Sequence, residues 1–321
     1  MPPARQPLPV FCLAGPTGCG KTEAALALAA ALNGEVVNAD SRQVYVDFPL
    51  ITAQPSPGER ARCPHHLYGF LETSRKISAG RWVDMAMTVI RDIHARGKLP
   101  LLVGGTGLYF QSLLHGIAEI PPVAEDISAC LAARLEKEGS LALHTELARH
   151  DPAYAARIHV NDRQRIVRAL EVFEATGKTF SWWHTHAMPA PLCAGPLACF
   201  MPTLEALEPR LIRRIDLMLR DGALDEARAA LRRCDDSAAP GWSGIGCAEL
   251  FAFLHGHLSL EACKTLWFRN TRAYAKRQLT WFRARPDAVA CAPGDIPALL
   301  AMAGSMEKRG SSPPAAKNFR S

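Results

Sequence analysis

Apolar positions along this chain follow two rhythms. Leu8 to Ala14 is a short, nearly unbroken apolar run, and Glu35 to Ala39, Leu101 to Val103 and Leu197 to Met201 repeat the pattern between Gly, Pro and Asn punctuation. Short apolar runs bounded by turn residues predict buried strands. Between them lie stretches with a 3.6-residue period. Glu23 to Leu32 is dense in strong helix formers, Gly80 to Arg96 sets Trp82, Met85, Val89 and Ile93 on one face, and helices are also predicted from Glu208 and over Lys264 to Arg285. Strand and helix alternate, which predicts an α/β fold around a parallel sheet. The alternation lapses after Pro121-Pro122, where only helical patterns follow (Ser128 to Lys137, Leu141 to Arg149, Asp162 to Thr176) until breaker-rich residues 189–196. The expected organisation is a core of residues 1–118 and 198–302, ending in basic helices, with an all-helical insertion at 119–197. Residues 49–80, rich in Pro, Gly and Ser, read as loop over one sheet edge, and the Gly/Ser/Pro/Lys-rich residues 303–321 read as a disordered tail.

The first strand runs directly into Gly15-Pro16-Thr17-Gly18-Cys19-Gly20-Lys21-Thr22, and a helix follows. Strand, Gly-x-x-x-x-Gly-Lys-Thr, helix is a phosphate-binding loop in its required context, so the core is expected to be P-loop NTPase-like. The glycines let backbone N–H groups turn inward around an anion, and the helix aims its positive end at the same point. Lys21 can reach a terminal phosphate oxygen, and the Thr22 hydroxyl can ligate Mg²⁺. The motif, shared with ATP-binding proteins, indicates a diphosphate or triphosphate without saying which.

Composition sharpens this only slightly. The 321 residues are 48% hydrophobic and 21% charged, as in an ordinary globular protein, and the formal charge of +6 permits a polyanionic partner without requiring one. Ten cysteines form no Cys-x-x-Cys pair and no zinc spacing, which suits a reducing compartment. No run reaches membrane-span length and the start shows no signal-peptide pattern, so a cytoplasmic protein without membrane contact is expected.

Candidate chemistry clusters where the strands end. Asp40-Ser41-Arg42-Gln43-Val44-Tyr45 follows the second strand, at the carboxyl edge where open α/β sheets bind ligands. Asp40 could hold Mg²⁺ through water, accept a proton from a nucleophile, or merely cap a helix. The third strand ends in Gly104-Gly105-Thr106 where a P-loop ATPase carries a Walker-B acid. That argues against a motor-type ATPase and for a site in which Thr106 meets a phosphate or leaving group. Arg210 and Arg214, one turn apart, suggest a phosphate clamp. His65-His66 invites a metal, but no third ligand stands nearby, and the bland reading is preferred. Arg157, Arg163, Arg165 and Arg168 form a basic cluster for which a solvated helix face is the default reading. Residues 264–285 hold two lysines, five arginines and no acid among five aromatics, the pattern of a polyanion contact.

These motifs together resemble the tRNA dimethylallyltransferases. The resemblance rests on the P-loop, Asp40-Ser41-Arg42-Gln43-Val44-Tyr45, Pro64-His65-His66-Leu67, Gly104 to Tyr109, Asn161-Asp162-Arg163-Gln164-Arg165, Arg168-Ala169-Leu170-Glu171 and Thr271 to Arg283, and covers about residues 10–285 in the family's order. It implies an enzyme that moves a five-carbon prenyl group from dimethylallyl diphosphate to N6 of adenine 37 in the anticodon loop of tRNA, with Mg²⁺ as cofactor and a monomeric state. It further implies catalytic roles for Asp40, Thr106, Arg210 and Arg214, and diphosphate binding by residues Gly15 through Thr22. tRNA contacts would come from Asp40, Ser41, Arg42, Gln43, Gln164, Arg165, Ile166, Val167, Arg168, Arg272, Lys276 and Arg277. The sequence departs from the family pattern at Gln54, where lysine is common, at Cys247-Ala248, where Tyr-Lys is common, and at Arg75-Lys76, in a region that usually carries acids. The chemistry agrees independently: the bond to be broken is carbon–oxygen, so no water-positioning acid is needed, and a channel between core and insertion would admit an unstacked base. A small-molecule P-loop kinase is the rival reading, and a nucleic-acid-binding ATPase a third; the basic helix at 264–285 speaks against the kinase and the missing acid against the ATPase.

Overall fold

The computed structural model describes residues 6–187 and 190–309. Chain order is β1 (Leu8–Pro9), β2 (Phe11–Ala14), α1 (Lys21–Leu32), β3 (Gly34–Asn38), α2 (Pro57–Arg62), β4 (His65–His66), α3 (Ala79–Ala95), β5 (Leu99–Gly104) and α4 (Gly107–His115). There follow α5 (Glu125–His150), α6 (Pro152–Ala155), α7 (Arg163–Thr176), α8 (Phe180–His186), β6 (Cys193–Ala194) and β7 (Leu197–Phe200). The chain closes with α9 (Leu204–Arg220), α10 (Ala223–Arg233), a 3-10 turn (Pro240–Ser243), α11 (Cys247–Leu254), α12 (Leu260–Arg283), β8 (Ala288–Cys291) and α13 (Ile296–Arg309).

Among the described residues six strands form one sheet in the order β4-β3-β5-β2-β7-β8, every pair parallel. β2, β3 and β7 are buried along their whole length, because helices cover both faces. Successive side chains point to opposite faces. Cys12, Ala14, Val37 and Leu102 accordingly pack with Trp82, Ile90 and Phe110 of α3 and α4, whereas Phe11, Leu13, Val36 and Leu101 pack with α1, α9, α12 and α13. A third cluster joins Val44, Phe48 and Ile51 to Ile215, Met218, Trp242 and Trp267, beyond the carboxyl edge of the sheet.

Several expectations shift. The first apolar run is two strands, since Leu8–Pro9 pairs with Cys193–Ala194 in a separate two-stranded ribbon. Pro9 has no N–H to give the main ladder. Residues 49–80 are not all loop: α2 starts at a capping box of Ser56 and Glu59 with Pro57 in its first turn, and His65–His66 is the edge strand. The buried face of α3 is Trp82, Val83, Ala86, Met87, Ile90 and Ile93, rotated from the predicted stripe, so Met85 and Val89 are only half-buried. The tail expectation fails for residues 303–309, which continue α13; Leu299 and Ala303 of that helix are buried against α1 and the sheet, and this anchoring outweighs the polar composition. Residues 310–321 lie outside the described residues.

The chain divides into two compact units. One runs to Leu114 and resumes at Leu192; the other is His115–Pro191. The second unit is all-helical, with a core of Leu131, Leu143, Leu147, Ala155, Ile166, Ala169 and Leu170. Its two expected early helices are both present within Glu125–His150, where they meet at Gly139, whose φ of 80° is not helical. Arg134, which pairs with Glu138 in its own half, ties the two halves together through Glu146. At the base, Leu192 N–H donates to Leu113 O within the first unit, and Glu119 N–H donates to Ala187 O within the second.

Candidate active site

The phosphate loop connects β2 to α1. Gly18 (φ 77°) and Gly20 (φ 92°) are left-handed, a region closed to most side chains, and Gly20 caps α1. Leu211 of α9 packs directly over Gly18. Lys21 Nζ donates to Gly15 O at 2.9 Å and Pro16 O at 2.8 Å, which holds it within the loop, while Thr22 is exposed in the first turn of the helix. Cys19 is buried beneath the loop.

Asp40 sits at the end of β3. The fully buried Asn38 fixes it from both sides, accepting from Asp40 N–H at 2.8 Å and donating to Asp40 O at 3.0 Å. Asp40 Oδ1 accepts the Arg42 N–H at 2.9 Å, a local turn rather than a helix cap, because no helix begins there. Thr106, at the end of β5, accepts the Ser41 N–H at 2.9 Å and donates to Ser41 Oγ at 3.2 Å. The two strand ends are thereby laced together.

Helix α12 crosses this edge. Tyr274 lines the same cavity as Asp40; burial, and then the charge of Asp40, raise its phenol pKa. Tyr109 and Tyr68 are raised by the same two causes in the same order, so Asp40 is ringed by neutral phenols. One turn further along α12, Gln278 accepts from Thr17 N–H at 3.1 Å and donates to Gly105 O at 3.0 Å. Arg214 of α9 makes no hydrogen bond or ion pair among the described residues; burial lowers its pKa and the field of Asp40 opposes that. Thr17, Asp40, Arg42, Arg214, Tyr274 and Arg277 line one cavity of about 200 Å³ whose other wall is apolar, including Ile51, Leu211, Ile215, Met218 and Trp267. A cationic, phenolic end facing a carboxylate, with an apolar wall, suits a phosphorylated hydrocarbon and a proton acceptor.

The expected residues therefore do not all converge. Arg210 is exposed and outside the cavity lining, so the structure joins only Arg214 of that pair to Asp40. Arg42 Nη1 reaches Ser243 Oγ at 2.8 Å, and Gln43 Nε2 donates to the Thr52 and Ala53 carbonyls, bracing the loop. In the helical unit Gln164 is exposed, whereas Ile166 is 0% exposed in the unit's core and offers nothing to a tRNA; Val167 packs against the same core. Arg165 pairs with Asp162 and Arg168 with Glu171. The basic helix is not free of counter-charge, as its own sequence suggested: Arg272 pairs with Glu208 and Lys264 with Asp216, both on α9, and Arg285 with Asp287. Arg269, Lys276, Arg277 and Arg283 are exposed.

Tyr274 and Gln278 were not singled out as site residues. The available signal was their spacing: Trp267, Thr271, Tyr274 and Gln278 share a face of α12 otherwise given to core residues, and polar groups on a buried stripe need partners. The histidine pair is structural. His66 Nε2 bonds Glu35 Oε2 at 2.7 Å and His65 Nδ1 bonds Cys63 O at 2.9 Å. Among the described residues no group of three or more His, Cys, Asp or Glu could hold a metal. The departures from the family pattern are accommodated: Gln54 Nε2 donates to Tyr45 O at 2.7 Å, Cys247 is buried, and Ala248, Arg75 and Lys76 are exposed. Glu249, in the same segment, accepts from Gly246 N–H and Asn270.

The chain as a whole is similar to known proteins. The IPP transferase family profile matches residues 43–285. A tRNA dimethylallyltransferase of Desulfovibrio desulfuricans is 67% identical over 302 residues, 94% of each chain. The solved full-length tRNA isopentenylpyrophosphate transferase of Bacillus halodurans shares 33% identity at a TM-score of 0.68, over 94% of this chain and 98% of that one. A eukaryotic dimethylallyltransferase, solved acting on tRNA, superposes with a TM-score of 0.76 at 30% identity, over 94% of this chain and 77% of that one.

Proposed function

The chain belongs to the IPP transferase family, and we propose that it is the enzyme that transfers a dimethylallyl group from dimethylallyl diphosphate to N6 of adenine 37 in tRNA anticodon loops, releasing diphosphate. The observation that carries the reading is the meeting, in one cavity, of a phosphate-loop residue, a carboxylate, an unpaired guanidinium and an apolar wall, on a sheet whose β5 ends in glycine rather than an acid. In the transfer the N6 lone pair forms a bond to C1 of the donor as the C1–O bond breaks. The electron pair leaves with the diphosphate, and the N6 proton passes to Asp40. Loop N–H groups, Lys21 and Arg214 meet the charge that grows on the leaving oxygens. The Thr106 hydroxyl accepts the Ser41 N–H and gives its one proton to Ser41 Oγ in this structure; turned from Ser41 to the substrate, that proton would meet the bridging oxygen. Asp40 has Oδ1 engaged with its own turn and Oδ2 for the proton. Thr22, with one exposed hydroxyl and no carboxylate cage, fits Mg²⁺, which takes one or two protein ligands, water and substrate phosphates; when bound, that ion would neutralise diphosphate charge.

The family assignment and the two-sided cavity both count against the kinase reading. Unmodified tRNA incubated with labelled donor, beside an ATP-turnover control, tests the proposal. Prenylated adenosine without ATP consumption is expected. Stimulated phosphate release from ATP with no prenylated adenosine would overturn it.

A further inference from the structure

Gln278 is 5% exposed, and a buried primary amide is retained where its polar atoms are satisfied. Its partners come from the two loops that frame the reaction. Oε1 accepts the N–H of Thr17 in the phosphate loop, and Nε2 donates to the carbonyl of Gly105, one residue before Thr106. Those loops follow β2 and β5, which lie side by side with Ala14 opposite Gly104. The two loops could otherwise shift independently, because the ladder ends at that pair. An amide is the side chain that can accept on one side and donate on the other; a carboxylate lacks the donor and an ammonium the acceptor. The fit is close: a Cβ added at Gly105 would stand 2.1 Å from Gln278 Nε2. Thr17 N–H is spent on Gln278, so the phosphate loop is held at this residue from α12.

We propose that Gln278 is a positioning residue, a clip that keeps the phosphate loop and the Gly104-Gly105-Thr106 turn in register, so that the leaving diphosphate and the Thr106 hydroxyl meet at the same point. The proposal rests on the reading of the site given above. Small misplacements of reacting groups are costly, so loss of the clip should reach the chemistry as well as the binding.

The test compares wild type, Gln278→Met, Gln278→Glu, Gly105→Ala and the Gly105→Ala/Gln278→Met double variant. Four quantities are measured: the Kd for inorganic diphosphate, donor KM and kcat in tRNA prenylation, tRNA Kd, and Tm. Both Gln278 variants are expected to weaken diphosphate binding and raise donor KM about tenfold or more and to lower kcat about tenfold to a hundredfold, with tRNA Kd unchanged within twofold. Gly105→Ala, which displaces the amide from the other side, should give the same pattern, and the double variant should be no worse than the more severe single one. Variants that lose Tm while diphosphate Kd, donor KM and kcat stay at wild-type values would make Gln278 a packing residue and overturn the proposal, as would additive effects in the double variant. Wild-type protein that binds diphosphate without prenylating tRNA would defeat the assigned function, yet the diphosphate Kd would still decide the clip. Protein that does neither overturns both.

Discussion

Asp40 shows how far a single residue can be understood from position. Its place after a strand left three roles open; the structure removes the helix cap, since the carboxylate engages its own turn and faces the cavity with Arg214. A proton acceptor in the bond-forming step lowers the barrier without holding the substrate. Asp40→Asn, which keeps the acceptor for the Arg42 N–H, should therefore cut single-turnover prenylation by about 10²–10⁴-fold and leave tRNA affinity and Tm near wild type. A normal rate with a lowered Tm would assign Asp40 to structure. Glu35 is the opposite case, legible only in three dimensions. Burial alone would raise its pKa, but hydrogen bonds from Arg96, Lys98 and His66 hold it down at about 2. A carboxylate depressed in the folded state stabilises above its unfolded pKa, and that stabilisation fades as pH falls from about 4.5 toward 2. Acid titration of Tm should show this limb in wild type. Glu35→Ala should abolish it and lower Tm at neutral pH, by removing the shared counter-charge of Arg96 and Lys98, which water can still reach. Nothing in the local sequence foretells Glu35, because its partners arrive from the start of β5, the end of α3 and β4.

Helix α12 is the element in which sequence and structure diverge most usefully. Its periodicity and charge were visible, and so was its length, which runs Leu260–Arg283. Its counter-charges were not, because Glu208 and Asp216 lie about fifty residues upstream on α9. The cations of α12 thus divide into paired ones, Lys264 and Arg272, one that lines the cavity, Arg277, and a stripe of Arg269, Lys276 and Arg283, spaced seven residues apart and exposed. Each phosphate contact contributes about −0.7 to −0.9 to the slope of log K against log salt. Replacing Arg269, Lys276 and Arg283 by alanine should flatten the tRNA salt slope by about 2–3 and weaken binding accordingly. Arg272→Ala should change the slope by less than about 1, since that guanidinium is already committed to Glu208. Filter binding at several salt concentrations reads both. Equal slopes for the triple variant and wild type would make the stripe an ordinary solvated face.

At the scale of the whole molecule, alternation of strand and helix was enough to predict a parallel α/β core, and a lapse in that alternation marked the helical segment. Strand order was not legible, nor was the return of Cys193–Ala194 to pair with Leu8–Pro9, because parallel pairing is set by contacts across nearly two hundred residues. The base of the second unit yields a further expectation. Leu113 and Leu192 are hydrogen-bonded to each other, so residues 115–191 can be replaced by a short Gly/Ser linker without stretching the core. The shortened protein should melt cooperatively and bind diphosphate, and should lose tRNA prenylation; failure to fold would show that the core depends on the second unit. The sheet order carries one more consequence, for synthesis. β2 lies in the middle of the sheet, yet one of its neighbours is β7, and the sheet closes only with β8 at Ala288–Cys291. A ribosome will therefore have released the whole helical unit before β7, the second of the two strands that flank β2, exists. The β2 edge that faces β7 must therefore wait, unpaired and open to chaperones, until Leu197–Phe200 has been made, although β2 is among the first strands translated.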